Sequence, residues 1–219
     1  RHIREQGVSD DRSAIVHTYA DFAGADPASR KALDTPEDAP VALALARLHE
    51  KKGLDTLLDA TAKIDGLYVW IAGDGPIEAE LKAHCTRLGL DDRVRFLGWR
   101  NDRGALLAAC DVVAFPSRYE PFGTVTVDAW AASRPLVAAD AAGPAAYVKD
   151  GVNGLLIPKN DVDALADALR KVVTDKALAA RLVAGGRASY EAQFTKAAFQ
   201  RDSLALYQKI VAYAGPFEG

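Results

Sequence analysis

From Val41 onward the chain alternates short apolar runs with segments of helical period, and no other feature constrains its fold as strongly. Apolar runs bounded by turn residues read as buried strands, and the helical segments between them supply the crossovers that parallel strands require. Strands are expected near Val41 to Ala46, Leu67 to Ala72, Val94 to Leu97, Val112 to Phe115, Leu136 to Ala139 and Gly154 to Ile157. Helices are expected to begin near Gly53, Pro76, Asn101, Gly123, Pro144 and Val162, with Pro76 suited to a first helical turn. This pattern predicts a doubly wound α/β domain with a parallel sheet, in which ligands bind beyond the C-terminal ends of the strands. After Pro158 the pattern is purely helical, over about Val162 to Val173, Lys176 to Phe194 and Ala197 to Ala214.

With 219 residues, 49% of them hydrophobic, the chain can bury a large core. Its formal net charge is −3 and its basic residues are scattered, so a nucleic-acid footprint is not indicated and any anion site must be local. Cys85 and Cys110 lack metal-ligand spacing and sit in helical patterns, which reads as structural thiols in a reducing, cytoplasmic setting. No apolar run approaches the roughly 18 residues of a spanning helix, so contact with the inner face of a membrane, if any, is peripheral. His2, His17, His49 and His84 form no metal-like cluster, and neither a metal site nor a Ser-His-Asp arrangement is expected. Ahead of Val41, the segment with Pro27, Asp34, Thr35, Pro36, Glu37 and Asp38 reads as a linker. Before it, Arg1 to Gly7 looks like a helix end and Ser13 to His17 like a strand, with no obvious partner in this chain. The chain opens at Arg1 and contains no methionine, so it is expected to be a fragment.

Pro116 to Trp130 carries the densest chemistry. A strand ends, Glu120 stands in the loop, Pro121-Phe122-Gly123 turns the chain, and a helix begins near Gly123 with Asp128 in its second turn. Such a helix start offers free amides and a positive dipole end to an anion, and the two carboxylates beside it suit sugar hydroxyls. Arg47 follows the first strand and Lys52 precedes the next helix, so the two cations can converge on a phosphate pair. Gly73-Asp74-Gly75-Pro76 lies between strand and helix, but Glu78 stands where a dinucleotide fingerprint has its third glycine, which disfavours a hydride-transfer cofactor. Ala141-Ala142-Gly143-Pro144 is a turn low in side-chain bulk and suited to close backbone approach. Asp150 to Pro158 reads as a turn followed by a short strand.

Taken together, these stretches resemble the retaining glycosyltransferases of the GT-B fold, family 4 or group 1. The similarity is carried by Ala46-Arg47-Leu48 with Lys52-Gly53-Leu54, Gly73-Asp74-Gly75-Pro76, Phe96-Leu97-Gly98, Asp111 to Pro116, Glu120 to Trp130 and Asp150 to Pro158. The matching half of that family is its Rossmann-like C-terminal domain, which binds the sugar donor. The resemblance implies that Arg47 and Lys52 neutralise the donor diphosphate, that the amides of Phe122, Gly123 and Thr124 hold its oxygens or the sugar, and that Glu120 contacts sugar hydroxyls. It places Asp128 at the ribose, where the family usually has Glu, and Trp99 and Arg100 near the base. Gly73, Gly75, Pro121 and Gly143 count among the donor-binding positions, and Arg47, Lys52 and Glu120 as catalytic.

The same resemblance divides the chain into the end of an N-terminal domain plus linker (1–38), a nucleotide-sugar domain (39–195), and a last helix crossing back toward an absent acceptor domain (196–219). It implies a UDP-, GDP- or ADP-sugar as substrate, no cofactor, no metal, transfer to a hydroxyl with retention, and a setting in polysaccharide or lipopolysaccharide synthesis. By itself such a fragment would be inactive. A non-catalytic nucleotide-sugar module and a nucleotide-sugar epimerase of the same fold remain the alternatives.

Overall fold

The computed structural model describes residues 13–22 and 25–214. Six strands form one sheet: β1 (Val41–Leu45), β2 (Tyr68–Ala72), β3 (Val94–Gly98), β4 (Val112–Phe115), β5 (Leu136–Ala139) and β6 (Leu155–Ile157). The spatial order is β3-β2-β1-β4-β5-β6, and every pairing is parallel. Winding therefore reverses between β1 and β4, and a crevice opens beyond the C-terminal ends of those two strands.

The strands bury both faces, which is why they read as unbroken apolar runs rather than alternating ones. Successive side chains of β2 serve opposite layers: Val69 and Ile71 pack in one core cluster, Trp70 and Ala72 in the other. The first layer is closed by α1 (Leu54–Thr61), α2 (Glu78–Arg87) and α6 (Val162–Thr174), through Leu57, Leu81 and Leu169 among others. The second is closed by α3 (Arg103–Ala109), α4 (Thr124–Ala131) and the far end of α7 (Lys176–Gln193), through Leu107, Trp130 and Tyr190. Two further helices, α5 (Ala142–Tyr147) and α8 (Lys196–Ala214), complete the described chain. Cys85 and Cys110 are buried, and that burial pushes their thiols up to about 11 and about 12.

Several local expectations are corrected. Helix α2 starts at Glu78, after Pro76 and Ile77 have made a turn in which Glu78 N–H donates to the Gly75 carbonyl at 3.3 Å. Helix α3 starts at Arg103 rather than Asn101, and α5 starts at Ala142 with Pro144 inside its first turn. A proline is tolerated there because first-turn amides have no intrahelical partner. Residues 13–17 form no strand. Their neighbours are partnered all the same: Ala20 is buried, its carbonyl accepts from the Tyr190 hydroxyl at 2.7 Å, and His17 packs on Tyr147 and Phe194.

The segment read as a linker is anchored to the sheet. Arg30 donates to the carbonyls of Ala109, Ala39 and Glu37 and pairs with Asp111 at 2.9 Å, while the Trp70 indole N–H donates to Thr35 at 2.9 Å. The helix end expected at Arg1 to Gly7 lies outside the described residues.

Candidate functional site

At the switch point a cleft of about 220 Å³ opens beyond β1, β2 and β3, facing α4. Leu45, Ala46 and Arg47 form one wall, Ala72 and Gly73 the next, Trp99, Arg100 and Arg103 a third, and Thr124, Val125 and Asp128 the floor. Close packing at its base depends on glycine. Gly73 has φ 144°, and a β-carbon there would lie 1.9 Å from the Ala46 carbonyl oxygen.

Helix starts differ across the molecule in a way that bears on function. Helices α6 and α7 are capped by Asp161 and Asp175, whose carboxylates accept from Ala164 N–H and Leu178 N–H at 2.9 Å each. Helices α1 and α4 begin instead at left-handed glycines, Gly53 (φ 64°) and Gly123 (φ 86°), and like α2, α3 and α5 they have no side-chain cap. The start of α4 is therefore a dipole end without a cap of its own.

Glu120 folds back onto that start. Its Oε1 accepts the Gly123 N–H at 3.2 Å and its Oε2 accepts from Lys52 Nζ at 2.6 Å, in a pair 14% and 24% exposed. The loop is pinned from below, because Gly143 N–H donates to the Glu120 carbonyl at 2.7 Å and a β-carbon on Gly143 would sit 2.4 Å from the Phe122 carbonyl carbon. Phe122 itself packs edge-on against Tyr147.

Asp128 is the buried charge of the cleft. Its side chain is 8% exposed, and burial pushes its carboxyl up to about 6 against the opposing pull of Arg103, whose Nε is 4.0 Å from Oδ2. Arg47 is exposed and makes no hydrogen bond or ion pair among the described residues, so its guanidinium is available to a ligand. Arg100 is already engaged: two hydrogen bonds of 2.7 and 2.6 Å tie it to Asp102, whose carboxyl they hold below its ordinary range. Trp99 is 71% exposed and its indole N–H donates to Asn101 Oδ1.

The structure thus brings Arg47, Gly73, Trp99, Arg100, Thr124 and Asp128 to one cleft, with Lys52, Glu120 and Gly123 joined to each other at the start of α4. Gly75, Pro121, Phe122 and Gly143 do not line it. For two of these glycines backbone packing is the reason for the residue: a β-carbon on Gly75 would meet the Leu48 carbonyl oxygen at 2.2 Å, and Gly143 abuts Phe122. Arg103 escaped the sequence reading, which stopped at Arg100. The available signal was its position as the opening residue of the helix after β3, since βα turns at this edge all face the crevice.

A larger groove of about 670 Å³ runs along the edge strand β3, but its arginine, Arg95, is occupied with the carbonyls of Asp34, Asp91 and Asp92. Among the described residues no group of three or more His, Cys, Asp or Glu side chains is placed to hold a metal ion, and no helix is long and apolar enough to cross a membrane.

A family model described as Glycosyl transferases group 1 matches residues 25–189. The chain is 40% identical over 177 residues to the lipopolysaccharide core biosynthesis glycosyltransferase LpsE of Rhizobium meliloti, covering 81% of this chain and 52% of that protein. It is 34% identical over 210 residues to LpsD of the same organism, a glycosyltransferase of the same description, covering 96% of this chain and 61% of the relative. Among solved structures, Anabaena Alr3699/HepE in complex with UDP and glucose superposes with a TM-score of 0.82 at 29% identity, over 93% of this chain and 59% of the other. The chain spans little more than half the length of these proteins.

Proposed function

This chain belongs to the group 1 glycosyl transferases, and we propose that it is the half of such an enzyme that holds a nucleoside diphosphate sugar. The observation that carries this reading is the convergence of Arg47, Lys52, the uncapped start of α4 and the buried Asp128 at the switch point of a parallel sheet. A donor in this cleft presents its diphosphate to Arg47, Lys52 and the first amides of α4, and its ribose to Asp128. The sugar lies toward Glu120. Structural relatives bound to UDP and glucose support a uridine nucleotide as the first donor to test.

In this reading the diphosphate gains negative charge as the glycosidic bond breaks, and Arg47, Lys52 and the helix start stabilise it more in the transition state than in the ground state. Charge neutralisation falls to side chains and backbone rather than to a metal ion. Transfer to a hydroxyl proceeds with retention, the departing phosphate helping to take the acceptor's proton. The acceptor is held by a second domain, and the names of the relatives support a lipopolysaccharide core acceptor. Helix α8 leaves Leu204, Tyr207, Ile210 and Val211 exposed along one stripe, which suits a face that this second domain covers.

Calorimetric titration of the chain with UDP, GDP and ADP tests the reading. Binding of at least one, abolished together by Arg47→Ala and Lys52→Ala, is expected. A flat response to all three overturns it.

A further inference from the structure

Arg103 stands where three parts of the fold meet. It opens α3, its guanidinium lies over the Phe22 ring at 5.3 Å, and its Nε faces Asp128 Oδ2 of α4 at 4.0 Å. That last distance is too long for a hydrogen bond yet short enough for direct Coulomb attraction. The contrast with neighbouring pairs is informative. Arg100 with Asp102, and Arg118 with Asp55, close to 2.6 Å and so engage carboxylate oxygens in direct hydrogen bonds. Arg103 supplies charge to Asp128 and leaves both carboxylate oxygens free to accept from a ligand. The contact with the Phe22 ring gives the guanidinium a second partner. The other cations of the cleft do not substitute for it: Arg100 is committed to Asp102, and Arg47 stands on the opposite wall beyond β1.

We propose that Arg103 is a positioning residue that holds Asp128 in its ionised, hydrogen-bond-accepting form, so that the ribose hydroxyls of the donor find a ready carboxylate. The inference rests on the reading of Asp128 as the ribose acceptor. Its physical necessity comes from burial. A carboxyl 8% exposed and pushed up to about 6 is close to protonation in mildly acid solution, and a protonated carboxyl is a poorer acceptor for two hydroxyls. Arg103 is 56% exposed, so solvent screens its effect and the expected influence is moderate.

Two measurements test this, on the wild-type chain and on Arg103→Met and Arg103→Lys. Methionine keeps the apolar contact with Phe22 and removes the charge, whereas lysine keeps the charge. First, carbon-13 NMR follows the titration of the Asp128 side-chain carboxyl without any ligand. Its midpoint is expected to rise by about half to one pH unit in Arg103→Met and to stay near wild type in Arg103→Lys. Second, UDP, GDP and ADP are titrated calorimetrically at pH 6 and pH 8. Arg103→Met is expected to weaken binding about threefold at pH 6 and by less than about 1.5-fold at pH 8, with Asp128→Asn abolishing that difference. An unchanged midpoint overturns the proposal, as does an equal loss of affinity at both pH values, which would make Arg103 a direct nucleotide contact. Absence of binding by the wild-type chain, with the midpoint shifted as expected, overturns the ribose reading while leaving the pairing of Arg103 with Asp128 intact.

Discussion

Asp128 makes the fold less stable as pH rises, and the size of that effect follows from its surroundings. Burial raises its carboxyl from 3.8 to about 6 in the folded chain. Because the folded value lies above the unfolded one, the protonated group favours the folded state, and this contribution is complete below about 3.8 and is lost as pH climbs through about 6. The full span is about 2 pH units, or about 3 kcal/mol at about 1.36 kcal/mol per unit. Between pH 5.0 and 7.5 the linkage relation gives a loss of about 1.4 kcal/mol from this group. Asp128→Asn removes the titration while keeping the shape of the side chain. Every other titrating group is common to both proteins, so the difference between them isolates Asp128.

Urea unfolding followed by circular dichroism at the two pH values is the assay. The variant is expected to gain about 1.4 kcal/mol relative to wild type on going from pH 5.0 to 7.5, whatever its absolute stability. A gap that stays constant within about 0.4 kcal/mol would show that water or a partner solvates the carboxylate more fully than its 8% exposure indicates, and would refute the argument.

Arg47→Ala, made in an enzyme containing this chain, is expected to lower kcat/KM by about 2–4 kcal/mol of transition-state stabilisation, or about 30- to 900-fold, as read from steady-state kinetics with the donor varied. Gly53→Ala is expected to destabilise the fold by more than about 1 kcal/mol in a denaturant titration, since φ is 64° and its new β-carbon would lie 2.3 Å from the Pro116 carbonyl oxygen. Tyr190→Phe removes the hydroxyl that holds the Ala20 carbonyl, and is expected to cost about 1 kcal/mol and to speed amide exchange in residues 13–22.

The sheet was legible because strands buried on both faces leave continuous apolar runs, and all six expected strands are found with ends differing by at most one residue. Helix starts were less so. Asn101, Pro76 and Pro144 each miss by two, because loop geometry after a strand is set by tertiary contacts such as Leu48 N–H to Asp74 and Gly73 N–H to Gly98. The anchors of the linker segment before Val41 were not readable, since they are single long-range contacts, Arg30 to Asp111 and Thr35 to Trp70, which no local pattern announces. At the site, the order Arg47, Lys52, Glu120, Gly123, Asp128 pointed to a shared ligand through motif order and spacing. Neither the burial of Asp128 nor the approach of Arg103 was readable, because both depend on how α3 and α4 settle against the sheet. Glycine was ambiguous for a related reason: Gly73 and Gly75 sit in a βα turn and Gly143 in the first turn of α5, and only the folded chain shows that Gly73 lines the cleft while Gly75 and Gly143 pack against Leu48 and Phe122.

The chain supplies its own anion to the start of α4. Glu120 takes the Gly123 amide with one oxygen and Lys52 with the other, which are two of the groups assigned to the donor. A diphosphate entering the cleft must therefore compete with a carboxylate already in place, and part of its attraction is offset by breaking that pair. The exchange is not merely a loss, because the released Glu120 is a charged acceptor beside the incoming sugar. On the proposed donor reading, arrival of phosphate at Lys52 and delivery of Glu120 to the sugar hydroxyls are one event, and a free phosphate would drive only its first half. The same geometry implies that Lys52 has two successive partners of like charge, so its substitution alters the empty site as well as the loaded one. Lys52→Ala should consequently weaken nucleoside diphosphate binding and Glu120→Ala should tighten it, and the double variant should lose more affinity than the sum of the two single effects, by about the strength of the pair that only the intact site must break.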